Sequence, residues 1–194
     1  MANINHKPSK YMLNLLHTLP PFVEGKKDVI NAIVEINVGT LNKYELITES
    51  GQLKLDRVGY SSLAFPYTYG TIPKTWDFDG DPLDVAIVNV TESLVPGCLV
   101  EARVIGVIKF EDGGEVDDKI LAVLSDDRRS DHIQSISDLS EQFKKETEYF
   151  LEHYKDLKKP GFSIPKGFFE KDEAIKVIQE CEGRYNEIYL KNFE

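Results

Sequence analysis

The stretch Val29-Ile30-Asn31-Ala32-Ile33-Val34-Glu35-Ile36-Asn37-Val38 says most about the fold class. Ile30, Ala32, Val34, Ile36 and Val38 recur at every second position, with Asn31, Glu35 and Asn37 between them. Successive side chains of a strand point to opposite faces, so this period predicts a half-buried strand. Outward from it, Tyr44-Glu45-Leu46-Ile47 predicts a second strand, turned at Ser50-Gly51 toward a partner over 52–57. β-branched runs over 85–90, 99–110 and 119–124 add further strands, the middle one behind a Pro96-Gly97 turn. The last third reads differently. Leu139, Phe143, Phe150 and Tyr154 fall at helical spacing, with Ser137 and Asp138 available as N-caps and Lys159-Pro160-Gly161 as the stop. Ala174, Ile178, Cys181 and Tyr185 form one stripe of a second helix over 172–188. Strands first and helices last predict an α+β domain, a small closed barrel with helices packed outside.

At 194 residues the chain fits one domain, 1–194, with residues 1–27 as an N-terminal arm. Hydrophobic content of 41% and charged content of 29% predict a globular, soluble protein. No apolar run approaches the ~20 residues that span a bilayer, and the first residues lack the apolar core of a signal peptide. Cys98 and Cys181 stand far apart without a CxxC partner, which predicts buried apolar residues and not a disulfide or zinc site. These features point to the cytoplasm and to no membrane partner. A net charge of −10 argues against nucleic acid as a partner, since that role needs a clustered basic surface. Phosphate remains accessible to an acidic protein if bound cations reverse the local field.

Chemistry concentrates in Asp79-Gly80-Asp81-Pro82-Leu83-Asp84, behind Trp76-Asp77-Phe78. Three carboxylates this close repel one another unless cations or donors compensate. Gly80 permits a tight bend and Pro82 denies helix, so the carboxylates converge from a loop at the start of a strand. Oxygen-only ligands suit Mg²⁺ or Mn²⁺ better than zinc. The plain alternative is an acidic turn, since Asp-Gly and Asp-Pro are common turn dipeptides. An EF-hand needs Gly at loop position six and Glu at twelve, where this chain has Asp84 and Val90. A second acidic group, from Glu111 to Lys119, contains Gly113-Gly114, a two-residue hairpin turn that would set 112 opposite 115. Asp112, Asp117 and Lys119 would then share one face; a solvated hairpin tip explains the segment equally well. Lys43 and Glu45 share a face by strand alternation. Arg57, Tyr69, Tyr154 and Lys155 are unexceptional singly. No GxxxxGK[ST], GxGxxG, HExxH or GxSxG pattern occurs.

The run Asp79-Gly80-Asp81-Pro82-Leu83-Asp84-Val85 resembles the signature of the family I soluble inorganic pyrophosphatases of bacterial type. Val34-Glu35-Ile36, Lys43-Tyr44-Glu45, Asp56-Arg57, Phe65-Pro66, Tyr69-Gly70, Gly106-Val107-Ile108, Asp131-His132-Ile133 and Glu152-His153-Tyr154-Lys155-Asp156-Leu157 follow in the family's order. The resemblance implies a five-stranded OB-like β-barrel with flanking C-terminal α-helices. It implies hydrolysis of pyrophosphate, taken as its Mg²⁺ complex, by a metal-activated water. Several Mg²⁺ ions per site are implied, with Mn²⁺ as a substitute, and a homo-oligomer, a hexamer by the bacterial pattern. By position, Asp79, Asp84 and Asp117 look like ligands of the tightest metals, and Asp112 and Glu45 like ligands of further ions. Asp81 looks like the acceptor of the water's proton. Lys43, Arg57, Tyr69, Lys119, Tyr154 and Lys155 look like the phosphate-binding set, and Glu35 like a supporting carboxylate. Two positions depart from the pattern: Phe65 where tyrosine is common, and Gly113 where an acid is expected. Both predict altered metal affinity and retained activity.

Overall fold

The computed structural model describes residues 13–190, with Leu190 by its backbone alone; residues 1–12 of the N-terminal arm lie outside the described residues. In chain order the elements are α1 (Leu15–Thr18), β1 (Val29–Ile36), β2 (Asn42–Leu46), β3 (Leu53–Val58), β4 (Thr68–Thr71), β5 (Asp84–Ile87) and β6 (Leu99–Asp112). They continue with β7 (Glu115–Val116), β8 (Lys119–Leu124), α2 (Glu141–His153), β9 (Ser163–Glu170) and α3 (Lys171–Tyr185). β1 pairs antiparallel with β4, β4 antiparallel with β5, β5 parallel with β8, and β8 antiparallel with β6. β6 then pairs antiparallel with β1, which closes a ring of five strands. This barrel-like ring, with helices outside it, is the α+β architecture that the OB-like reading predicts. β2 and β3 form a separate two-stranded sheet.

Closure explains one departure from expectation. Period-two alternation predicts a half-buried β1, but every residue of β1 is buried. The polar positions are covered by neighbours: Asn31 Nδ2 donates to Pro20 O at 2.8 Å, and Glu35 Oε1 accepts from Leu46 N at 2.8 Å. Gly70 permits close approach of β4 to β1, since a Cβ there would lie 2.2 Å from Ile33 O.

Two apolar clusters flank the ring. Ile30, Val34, Val85 and Ile120 pack with Ala174, Ile178 and Cys181 of α3, whereas Ile36, Tyr69 and Leu121 pack with Phe150 and Leu151 of α2. Burying one such side chain contributes roughly 1.5–3 kcal/mol, so the helices are held by their apolar stripes. The N-cap of α2 is Ser140, whose side chain accepts from Phe143 N, and not Ser137 or Asp138; Asp138 instead accepts from Gln134 N and Ser135 N. Helices do not simply follow strands, because β9 intervenes and pairs with β6. The arm is ordered where described: Leu16 is buried, and Asn14 Nδ2 donates to Thr48 O at 2.8 Å. Cys98 and Cys181 are free thiols, the second fully buried. Among the described residues no helix is long and apolar enough to cross a membrane.

Candidate active site

A cavity of about 240 Å³ gathers nearly all the residues singled out above. Its walls carry Asp79, Asp81, Asp84, Asp112, Asp117, Glu35 and Glu45, together with Lys43, Lys119, Lys155, Tyr69 and Tyr154. Arg57 is the exception. It lines a smaller adjoining recess with Lys43, Phe65, Phe150 and Tyr154, and pairs with Asp56.

The acidic turn lies between β4 and β5. Gly80 has φ +90°, the left-handed region that glycine adopts without steric cost. Asp81 N donates to Asp79 Oδ1 at 3.1 Å, and Leu83, fully buried, pins the far end, its N–H donating to Thr75 Oγ1 at 2.9 Å. Asp79 and Asp81 therefore stand exposed at the mouth while Asp84 opens β5 inside. Parallel pairing sets Asp84 opposite Lys119, and Lys119 Nζ lies 2.6 Å from Asp84 Oδ2. The same ammonium bonds Asp117 on its other side, and the Tyr69 hydroxyl donates to Asp84.

The hairpin of β2 and β3 brings the next wall. Lys43 pairs with Glu45 along one face, and Lys43 stands across from Arg57. Glu35 ties this hairpin to β1 through Leu46. On the third wall Asp112 pairs with Lys155, accepts from Ser163 Oγ at 2.9 Å, and lies 3.4 Å from the Tyr154 hydroxyl. The Gly113-Gly114 turn forms as the sequence predicts, with positive φ at both residues and Asp112 opposite Glu115. Gly113 cannot readily carry the acid expected there. A Cβ at Gly113 would lie 2.0 Å from the Phe162 ring.

Crowded carboxylates set the electrostatics. Burial, then Asp84, pushes the Glu35 carboxyl up to about 8. The surrounding protein, then Asp117 and Asp84, raises Asp79; the surrounding protein, then Asp84 and Glu45, raises Asp81. Burial also raises Asp117, with Lys119 opposing. Burial disfavours the Lys119 charge, but Asp117 and Asp84 outweigh it and hold the ammonium well above the usual lysine range.

As the side chains stand, no three His, Cys, Asp or Glu residues among those described are gathered tightly enough to hold a metal ion. Lys119 draws Asp84 and Asp117 to itself. The donor chemistry nonetheless fits hard divalent cations. The acidic side chains offer only oxygen, and around the cavity seven carboxyl groups outnumber three lysines, so negative charge is left for a cation to compensate.

Ser163 carries no signal in the sequence, because Pro165 and Gly167 make its strand, β9, read as loop. Tyr67 also lines the cavity, between Phe65 and Tyr69 in sequence. Alternation through 65, 67 and 69 was the signal for it.

Residues 32–186 match the family model described as inorganic pyrophosphatase. The inorganic pyrophosphatase of Corynebacterium glutamicum is 47% identical over 156 residues, which span 80% of this chain and 98% of that protein. That of Geobacillus stearothermophilus is 43% identical over 160 residues, 82% of this chain and 95% of that protein. A crystal structure of the inorganic pyrophosphatase from Neisseria gonorrhoeae superposes with a TM-score of 0.84 at 41% identity, covering 89% of this chain and 99% of that one.

Proposed function

Because the chain belongs to the inorganic pyrophosphatase family, we propose that the acidic cavity is where it hydrolyses pyrophosphate to two phosphates. The family's chemistry is metal-dependent hydrolysis by an activated water. The observation that carries it is the convergence of Asp79, Asp81, Asp84, Asp112, Asp117 and Glu45 with Lys43, Lys119 and Lys155 around one cavity.

In this reading Asp79, Asp84 and Asp117 hold the tightest cations, and Asp112 and Glu45 hold further ones, with Mg²⁺ preferred and Mn²⁺ a substitute. When bound, such cations lower the pKa of water and neutralise charge on the phosphates. Asp81, exposed at the mouth and unpaired with any lysine in the described structure, accepts the proton of the attacking water. Lys43, Lys119 and Lys155 place fixed positive charge on three walls, where it stabilises the phosphate oxygens as charge develops. Tyr69 and Tyr154 offer hydroxyl donors, and Arg57 reaches in from the adjoining recess. Glu35, buried and raised, supports the hairpin and does not touch substrate.

The protein works in the cytoplasm as a homo-oligomer, a hexamer by the bacterial pattern, with residues 1–194 as one domain. The negative net charge supports the absence of a nucleic-acid partner. A substrate panel tests the assignment. Purified protein in Mg²⁺ should release phosphate from pyrophosphate far faster than from tripolyphosphate or nucleoside triphosphates. Equal rates across the panel would refute the substrate assignment.

A further inference from the structure

Behind the acidic turn, α3 grips three consecutive residues that do not themselves face the cavity. Arg184 Nε donates to Trp76 O at 2.8 Å, and its Nη2 donates to Asp77 Oδ1 at 2.9 Å. The guanidinium carbon lies 4.0 Å from the centroid of the Phe78 ring, and Trp76 N donates to Cys181 O at 3.0 Å. Asp77 is 5% exposed and is the residue on which the turn closes. Its N–H donates to Asp81 O at 2.7 Å, its carbonyl accepts from Gly80 N at 3.3 Å, and its Oδ1 also accepts from Phe78 N at 2.9 Å. One side chain on α3 therefore fixes the residue that sets the position of both Asp79 and Asp81.

From this geometry we infer that Arg184 is a positioning residue for the acidic turn, holding Asp79 and Asp81 for metal binding without touching metal or substrate. Its fork is the reason. A planar guanidinium holds its donors in a rigid fork while its face stacks flat on an aromatic ring, whereas an ammonium is a compact point charge on a flexible stem that fixes neither direction. Leu83 pins only the far end of the turn, and its near end has little else to hold it. Asp79 and Asp81 are exposed, and apart from the closure on Asp77 the Asp81 N–H bonds only the Asp79 side chain. Arg184 lines neither the cavity nor the adjoining recess, so its removal leaves their wall residues chemically intact.

The inference rests on the metal-dependent reading above, and direct metal binding separates the two. Mn²⁺ is titrated calorimetrically, without substrate, into the wild-type chain, R184A and R184K. Removing a group that orients metal ligands costs on the order of 10–100-fold in affinity, and R184A should weaken Mn²⁺ by that amount. R184K should fall between R184A and wild type, because it keeps the charge and loses the fork. Guanidinium at a non-denaturing concentration should restore part of the affinity of R184A, which a general loss of packing would not allow. If R184A does not fold, R184K decides: a weakened affinity supports the role and a wild-type affinity overturns it. A folded R184A with wild-type Mn²⁺ affinity overturns the role of Arg184 alone. A wild-type chain that binds no Mn²⁺ overturns the metal-dependent reading with it.

Discussion

Lys119 Nζ lies 2.6 Å from Asp84 Oδ2, the consequence of a parallel register that sets the two residues side by side on β5 and β8. The same buried ammonium bonds Asp117, so one cation serves two carboxylates while Asp79 adds a third nearby. The imbalance is built into strand pairing, and in the function proposed above it is what draws divalent metal to the site.

Lys119→Met should therefore destabilise the chain most when metal is withheld. Removing one partner of a buried ion pair costs roughly 3–5 kcal/mol, because the remaining charge is left uncompensated. Thermal melts should show a large fall in Tm in EDTA and a smaller one in saturating Mg²⁺. An equal deficit in both conditions would contradict the charge argument.

Asp81→Asn keeps the shape of the side chain and removes its ability to accept a proton. Loss of a general base lowers turnover by about 10²–10⁴-fold. The fall should appear in kcat, with Tm unchanged, because Asp81 is exposed and makes no ion pair in the described structure. Turnover within a few-fold of wild type would reassign the base.

Glu35 predicts the shape of stability against pH. Its carboxyl is raised from 4.5 to about 8 by burial and by Asp84, with Glu45 adding to the rise and Lys43 and the Leu46 N–H opposing it. Between those values the unfolded chain gives up the proton and the folded chain keeps it. Stability is thus lost as pH rises from about 4.5 to 8, and the loss is complete above 8. Glu35→Gln, still an acceptor for Leu46 N, should flatten that slope and leave stability higher at pH 8. Denaturant midpoints across the range measure it, and parallel slopes for the two proteins would contradict the assignment.

Gly113 and Phe162 should be coupled. Gly113→Ala meets both a positive φ of 67° and the Phe162 ring, and overpacking of this kind costs roughly 1–3 kcal/mol. Phe162→Ala should make the second substitution cheaper, so the double variant loses less than the sum of the singles. Strict additivity in chemical unfolding would argue against the contact.

Most of this architecture was legible because its signals are local. β1, β2, β6 and β8 announce themselves by alternation or β-branched runs, and the Gly113-Gly114 turn by its dipeptide. β4 was missed since Thr68-Tyr69-Gly70-Thr71 is short and contains glycine. β9 was missed because Pro165 and Gly167 read as loop, while β6 supplies the pairing that makes the segment a strand. The complete burial of β1 is invisible for a related reason, since the cover comes from Pro20 and Leu46, which lie outside the alternating run, eleven residues from Asn31 and Glu35. Of the candidate site, Asp79, Asp81 and Asp84 stand out by density alone. Lys155 and Tyr154 meet Asp112 across the fold; the resemblance puts all three in one site, and no spacing shows their contact. Arg184 lay unremarked in α3, because its partners sit on a turn more than a hundred residues earlier.

The most direct test of the account is a crystal of the full chain soaked in Mn²⁺ and measured at the manganese absorption edge. Anomalous peaks should lie inside the cavity, with one ion held by the carboxylates of Asp79, Asp84 and Asp117. A cavity without a manganese peak, with Lys119 still bridging Asp84 and Asp117, would contradict it.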